Sequence, residues 1–240
     1  MYYISVQFVY KGKSHEMVSR NCCGAERIFD SKKAKKQKSS FLKKGAKGST
    51  RKLIHLLSNF AMTDKTLLDV GGGVGAIQWS FLENGGKATT DIDASQAYIR
   101  IAREIAEAKN VVDKTAFINS DVTDQDGKIA PHDFVTLDKV VCCYPDYESL
   151  LLTATDNCNE VLALSMPISG IISRFFSSIG NFWLYMNKVP FRSYVHSRKT
   201  VDNFIQKKGF KLVHNKLSFP WHVLVYLRDK NGSGQSGNIG

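Results

Sequence analysis

Cysteine is scarce in this 240-residue chain, with five in all. They fall as Cys22-Cys23, Cys142-Cys143 and a lone Cys158, an odd count that makes no closed disulfide framework. Adjacent cysteines are also poorly spaced for structural zinc, whose ligands stand about two to four residues apart, so no metal site is expected. Vicinal thiols can hold a soft thiophilic ligand such as trivalent arsenic, but spacing alone gives that reading no support. Cys142 and Cys143 read as small packing residues. No apolar run reaches the roughly 18 residues that cross a bilayer as a helix. Met1 to Tyr10 alternates like a short strand and lacks the basic-then-apolar order of a secretory leader, so the expected location is cytoplasmic, with a peripheral membrane position open. Acids are missing between Lys32 and Lys52, where ten residues are Lys or Arg. The formal net charge of +11 belongs almost wholly to that segment, because the other basic residues nearly balance the 22 acids. Such a block is a solvated face, or a surface for RNA or an anionic membrane. Aromatics interleaved with the lysines would favour RNA, and Phe41 is the only one. There is no internal repeat, and nothing in the pattern fixes an oligomeric state.

What the chain does have is glycine in one place. Leu67 to Gln78 reads Leu-Leu-Asp-Val-Gly-Gly-Gly-Val-Gly-Ala-Ile-Gln, an apolar strand that runs into four glycines and then into a helical pattern. Glycine lets backbone approach a ligand where a β-carbon would collide, and the helix start behind it offers unpaired N–H groups. Gly71, Gly73 and Ala76 satisfy the dinucleotide fingerprint G-x-G-x-x-G/A. Asp69, Gly71, Gly73 and Gly75 satisfy D-x-G-x-G-x-G equally well. The acid two residues before the first glycine suits a cationic ligand and would repel a pyrophosphate.

Acids recur at the ends of the strands that follow. The strand Lys87 to Ile92 ends at Asp93-Ala94, twenty-two residues past Gly71, where a carboxylate accepts hydrogen bonds from ribose hydroxyls. A helix over Ser95 to Ala108 carries Ala97, Tyr98, Ile101, Ile105 and Ala108 at helical spacing. The strand Ala116 to Asn119 leads into Ser120-Asp121-Val122, and the strand Asp133 to Asp138 closes the series. This set of motifs, spanning roughly Leu53 to Arg228, resembles the class I methyltransferases that use S-adenosylmethionine, and more narrowly the magnesium-protoporphyrin and quinone-pathway enzymes. The resemblance implies an α/β, doubly wound Rossmann-like fold with a seven-stranded sheet, N-terminal basic helices and a hydrophobic insertion after strand 5. It implies S-adenosylmethionine as cofactor, bound through Asp69, Gly71, Gly73, Gly75, Asp93, Ala94, Asp121, Val122 and Asp138, with Asp121 on the adenine amino group.

Around that core the expected organisation is a basic extension or lid over 1–52, a binding domain over 53–229 and a disordered Gly/Ser/Asn-rich tail over 230–240. Ser31 to Lys44 reads as a lysine-rich helix, and Ser49 as the N-cap of a helix over Thr50 to Phe60. A helix begins near Asp146, a strand covers Val161 to Pro167, and a helix over Arg198 to Lys208 ends at Gly209 before closing strands at Phe210 to Leu217 and His222 to Leu227. The apolar stretch from Ile171 to Met186 packs onto the sheet, or forms an acceptor pocket or a membrane-facing patch; the expectation is that it covers a small, largely apolar acceptor, with Phe176, Trp183 and Tyr144 as its contacts. If the acceptor needs a base, His196 beside Tyr194 is the first candidate and His132 the second.

Other activities stay open beside this one. The lysine block keeps an RNA methyltransferase in view, although Asp138-Lys139-Val140-Val141 lacks the Asn/Asp-Pro-Pro-aromatic motif of nucleic-acid amino-methyltransferases, and Cys143-Tyr144-Pro145 has the wrong order for cytosine C5 chemistry. An NAD(P)-dependent oxidoreductase fits the glycines, but its Tyr-x-x-x-Lys occurs only as Tyr226 to Lys230 at the far end. A non-catalytic protein of the same fold that binds S-adenosylmethionine is the third possibility.

Overall fold

A computed structural model describes Gly24, residues 27–125 and residues 127–229. The strand expected at Met1 to Tyr10, the Cys22-Cys23 pair and the tail over 230–240 lie outside these residues. Seven strands form one sheet in the order β3-β2-β1-β4-β5-β7-β6: β1 is Thr66–Val70, β2 Ala88–Asp93, β3 Thr115–Asn119, β4 His132–Asp138, β5 Cys158–Pro167, β6 Phe210–Ser218 and β7 Trp221–Arg228. The first five are parallel, and β7 pairs antiparallel with both β5 and β6. Central strands of a parallel sheet are buried on both faces, which is why Leu67, Leu68 and Val70 are all buried in β1, with Asp69 the one charged residue among them.

Helices supply both covers. α1 (Ser31–Lys44) and α2 (Gly48–Leu57) precede the sheet, followed by α3 (Ala76–Glu83), α4 (Gln96–Ala108), α5 (Tyr147–Asp156), α6 (Ile171–Met186) and α7 (Arg198–Lys207). Leu53 and Leu57 of α2 and Ile77 and Phe81 of α3 pack against Leu67, Phe134 and Val223 on one face. Leu150 and Leu151 of α5 and Val201 and Ile205 of α7 pack against Leu68, Val135 and Leu162 on the other. α1 is bound to the domain by its one fully buried residue, Ala34, which joins Trp79, Tyr98, Ile101 and Ile105. Its start is capped by Asp30, whose carboxylate accepts from the Lys33 amide at 2.8 Å.

Two boundaries differ from expectation. Lys47, extended at φ −130°, occupies the N-cap of α2 without a side-chain bond, and the helix stops at Leu57, short of Phe60. Ser49 is instead buried within the first turn, its hydroxyl without a partner, because Leu53, Leu56 and Leu57 pull that face onto the sheet. The same helix crosses the expected boundary at 52/53, so the basic segment and the core share an element.

α6 reverses the usual arrangement of an amphipathic helix. Its inward stripe is polar: the Ser177 hydroxyl and the Asn181 amide both donate to the Ser193 carbonyl, and the Ser193 amide donates to Asn181 Oδ1 at 2.8 Å. Phe175, Phe176, Ile179, Phe182, Trp183, Tyr185 and Met186 face outward, with Phe182 66% and Trp183 63% exposed.

Candidate functional site

The glycine turn after β1 lies at the carboxyl ends of the parallel strands, where β1 and β4 diverge to opposite connections and open α/β sheets bind ligands. A cavity of about 280 Å³ opens there. Gly71, Gly72 and Gly73 form its floor, Asp93, Ala94 and Tyr98 one side, and Ser120 and Val122 the next. Asp138, Lys139, Val140, Cys143 and Tyr144 border it from the β4 loop, and Phe29, Gln37, Thr50 and Phe191 complete the wall. Gly71, Gly73, Asp93, Ala94, Val122, Asp138 and Tyr144 are thus brought together on one cavity.

Asp93 is held with its carboxylate beside the glycine turn. Its Oδ2 accepts from the Gly73 amide at 3.2 Å and its Oδ1 from the Ser95 amide at 2.8 Å. Burial raises its pKa to about 6, against the pull of those two amides. Next to it the Tyr98 hydroxyl is buried and has no hydrogen-bond partner among the described residues. An acceptor and an orphaned donor side by side in a concave wall suit a ligand with neighbouring hydroxyls, such as a ribose. The sequence placed Tyr98 in the apolar stripe of its helix; only the tertiary position of its hydroxyl marks it as part of the site.

Several expected contacts are elsewhere. Asp69 lies beneath the turn, 1% exposed, and does not line the cavity: the Thr136 hydroxyl donates to it at 2.6 Å. The strand register sets Asp69 directly between Thr136 of β4 and Asp91 of β2, so its side chain points into the sheet interior. Gly75 is also off the wall. At φ 75° its missing β-carbon makes room for the Trp79 ring, which a β-carbon would meet at 2.4 Å, so this glycine serves packing. Asp121 turns inward, accepting from the Thr123 amide at 3.0 Å and the Tyr144 hydroxyl at 2.8 Å; only its neighbours Ser120 and Val122 face the cavity.

The candidates for base and acceptor contact also need correction. His196 does not line the cavity; its Nε2 is 2.9 Å from the Tyr144 carbonyl, its ring packs on Tyr147, and burial lowers its pKa. The Tyr194 amide donates to the Cys142 carbonyl at 2.8 Å. Both residues brace the β4 loop from behind, because the Phe191 to Ser197 strip runs along its backbone. His132 stands at the amino end of β4, away from the site, bonded to Thr90 and the Ala130 carbonyl. Phe176 and Trp183 point outward from α6, whereas Tyr144, Val140 and Phe191 line the cavity.

Thr50 and Lys139, neither among the expected site residues, meet Asp138 at the rim. The Thr50 hydroxyl donates to Asp138, and Lys139 Nζ donates to Thr50 at 2.6 Å and to Asp138 at 3.2 Å. Lys139 adopts φ 65°, an unusual backbone for lysine. It follows a strand-end acid, a signal visible only once α2 is known to lie across it.

The topology separates the two glycine readings. A dinucleotide-binding sheet in its usual form runs 3-2-1-4-5-6, whereas here the reversed β7 is inserted between β5 and β6. The chain has the class I methyltransferase fold. No protein-family model and no curated protein matches its sequence. Among solved structures, magnesium protoporphyrin IX methyltransferase from Synechocystis with bound S-adenosylhomocysteine superposes with a TM-score of 0.62 at 16% identity, over 75% of this chain and 82% of that one. An O-methyltransferase family 2 protein from Planctomyces limnophilus in complex with apigenin gives 0.62 at 20% identity, over 81% and 61%. An O-methyltransferase family protein from Burkholderia thailandensis gives 0.61 at 12% identity, over 76% and 57%. Within this methyltransferase fold the buried pair Asp69–Asp91 stands out, since both oxygens of Asp91 lack a hydrogen-bond partner among the described residues.

Burial first, then the neighbouring carboxylates, raises Asp91 well above the usual range, and burial raises Asp69 to about 7. A folded carboxylic acid with a raised pKa stabilises most below the unfolded value, and that stability is lost as pH rises through the folded pKa. Thermal stability is therefore expected to fall from acidic pH toward and past pH 7. Asp91→Asn should remove part of that loss, on the order of 1–3 kcal/mol above pH 7. Parallel pH profiles for the two proteins would contradict this account.

Proposed function

We propose that the protein transfers a methyl group from S-adenosylmethionine to a small, largely apolar acceptor. The observation that carries this reading is the Asp93 carboxylate beside the Gly71 to Gly73 backbone and the orphaned Tyr98 hydroxyl, all on one cavity. Asp93 and Tyr98 would hold the ribose hydroxyls, Ser120 and Val122 would flank the adenine, and the glycine turn would lie against the amino-acid part. The cofactor supplies an activated methyl on sulfur, which needs no protein nucleophile. The chain's own residues align the acceptor and exclude water. Val140, Tyr144 and Phe191 give that part of the wall its apolar character, and Lys139 and Asp138 hold Thr50 across the rim. The lysine helix α1 borders the cavity through Gln37 alone, which favours a small acceptor over RNA.

Calorimetry tests the cofactor: S-adenosylhomocysteine should bind in the micromolar range or tighter, and NADH should not. The reverse result would overturn the reading. For the acceptor, tritiated methyl groups offered with total RNA and a panel of small planar phenols and aromatic acids should enter the organic-soluble fraction. Label recovered in RNA would replace the acceptor class.

A further inference from the structure

Among the described residues, the outward face of α6 is an apolar surface without a partner. Phe175, Ile179, Phe182 and Met186 recur at helical spacing along it, flanked by Phe176 and Trp183, and all are at least half exposed. The polar stripe that would ordinarily face water is spent on Ser193 instead. Exposed patches of this kind mark contact with another apolar phase.

Charge decides which one. From Val161 to Val201 the chain has no acid, while Arg174, Lys188 and Lys199 fall in that stretch, beside Arg198, which pairs with Asp202 at 3.7 Å. The lysine-rich α1 starts beside the far end of α6: the Arg27 guanidinium donates to the Lys188 carbonyl at 3.1 Å, and the Phe29 and Phe191 rings meet edge to face. The residues that lead into α1 therefore lie against the segment that follows α6, and Arg27 adds a cation there. A second copy of the chain, related by a two-fold axis, would bring Arg174, Lys188 and Lys199 toward their own copies, like charge against like. Anionic lipid headgroups answer them directly, while aromatic side chains, tryptophan and tyrosine above all, seat at the level of the headgroups. Among the described residues no helix is long and apolar enough to cross a membrane, so the contact is with the surface.

We propose that α6, together with the basic residues around it, docks the protein on an anionic membrane, lying in the interface with its Phe175 to Met186 face in the lipid. This stands on the shape and charge of the surface and does not depend on methyl transfer. The full-length protein should cosediment with phosphatidylcholine vesicles containing phosphatidylglycerol, bind pure phosphatidylcholine at least tenfold more weakly, and release as salt rises. The triple variant Phe175→Ser, Phe182→Ser, Trp183→Ser changes only exposed side chains, so it should keep its circular dichroism and its S-adenosylhomocysteine affinity while losing at least tenfold in vesicle binding. Failure of the wild type to bind phosphatidylglycerol vesicles at low salt overturns the proposal, as does equal binding by the triple variant. A wild-type dimer in light scattering that the triple variant converts to monomer, without vesicle binding, would assign the face to a second copy. Loss of S-adenosylhomocysteine binding by the wild type would count against the cofactor reading and leave the vesicle result standing.

Discussion

Gly73→Ala is expected to bind S-adenosylhomocysteine at least tenfold more weakly than the wild type while melting within a few degrees of it. Gly73 sits at φ 60°, and a β-carbon there would meet only Tyr98, at 3.7 Å. The protein itself has room for the methyl, which projects into the cavity. The left-handed backbone costs an alanine about 1–2 kcal/mol, a shift of a few degrees for a domain of this size. Gly72 is the control. A β-carbon there would stand 2.5 Å from Gln78 Nε2, 2.6 Å from Asp91 Oδ1 and 2.9 Å from Asp69 Oδ2, all at fully or nearly fully buried residues. Gly72→Ala should therefore lose stability outright, by roughly 1–3 kcal/mol or more from overpacking. Calorimetry beside thermal melts separates the two. If Gly73→Ala keeps full affinity, the turn is a structural feature with no ligand against it.

Asp93→Asn carries the second large effect. Replacing a carboxylate that accepts from ribose hydroxyls should cost on the order of 1.5–3 kcal/mol, roughly 10- to 150-fold in affinity for S-adenosylhomocysteine. The pH dependence gives an independent sign. Because burial puts Asp93 at about 6, the wild type loses its ionised acceptor as pH falls through that value, and affinity should drop by up to tenfold per unit below it. The asparagine variant should be flat over the same range. A wild-type profile that stays level down to about pH 5 would remove Asp93 from the binding account.

The sequence was most readable where local chemistry and final position coincide. Asp93 ends a strand and is followed by Ser95, which caps the next helix, so its carboxylate had to emerge beside the glycine turn. Strand-end acids elsewhere were legible as residue types but not as directions. Asp69 belongs to the strand proper and alternates inward toward Thr136, and Asp121 is captured by a tyrosine hydroxyl from a loop more than twenty residues away. The apolar crowding of α6 was plain as well, yet which of its faces turned inward depended on Ser193, twelve positions beyond Asn181. The bias toward an acceptor pocket came from assuming that an apolar stripe must be buried; a polar stripe with good partners can win that side of a helix instead. Thr50 and Phe29 border the site only because α2 and the approach to α1 fold back over the strand ends.

That seam has a kinetic meaning. One hydroxyl, Thr50, is shared between an acid and an amine from the opposite wall, so the rim is fastened at a point and not along its length. Such a fastening is cheap to undo, and where a ligand the size of a nucleoside enters past this rim it has to open for it. Residence time in the cavity is then governed by how often the first turn of α2 lifts, and two variants of equal affinity could differ widely in how fast they exchange their contents.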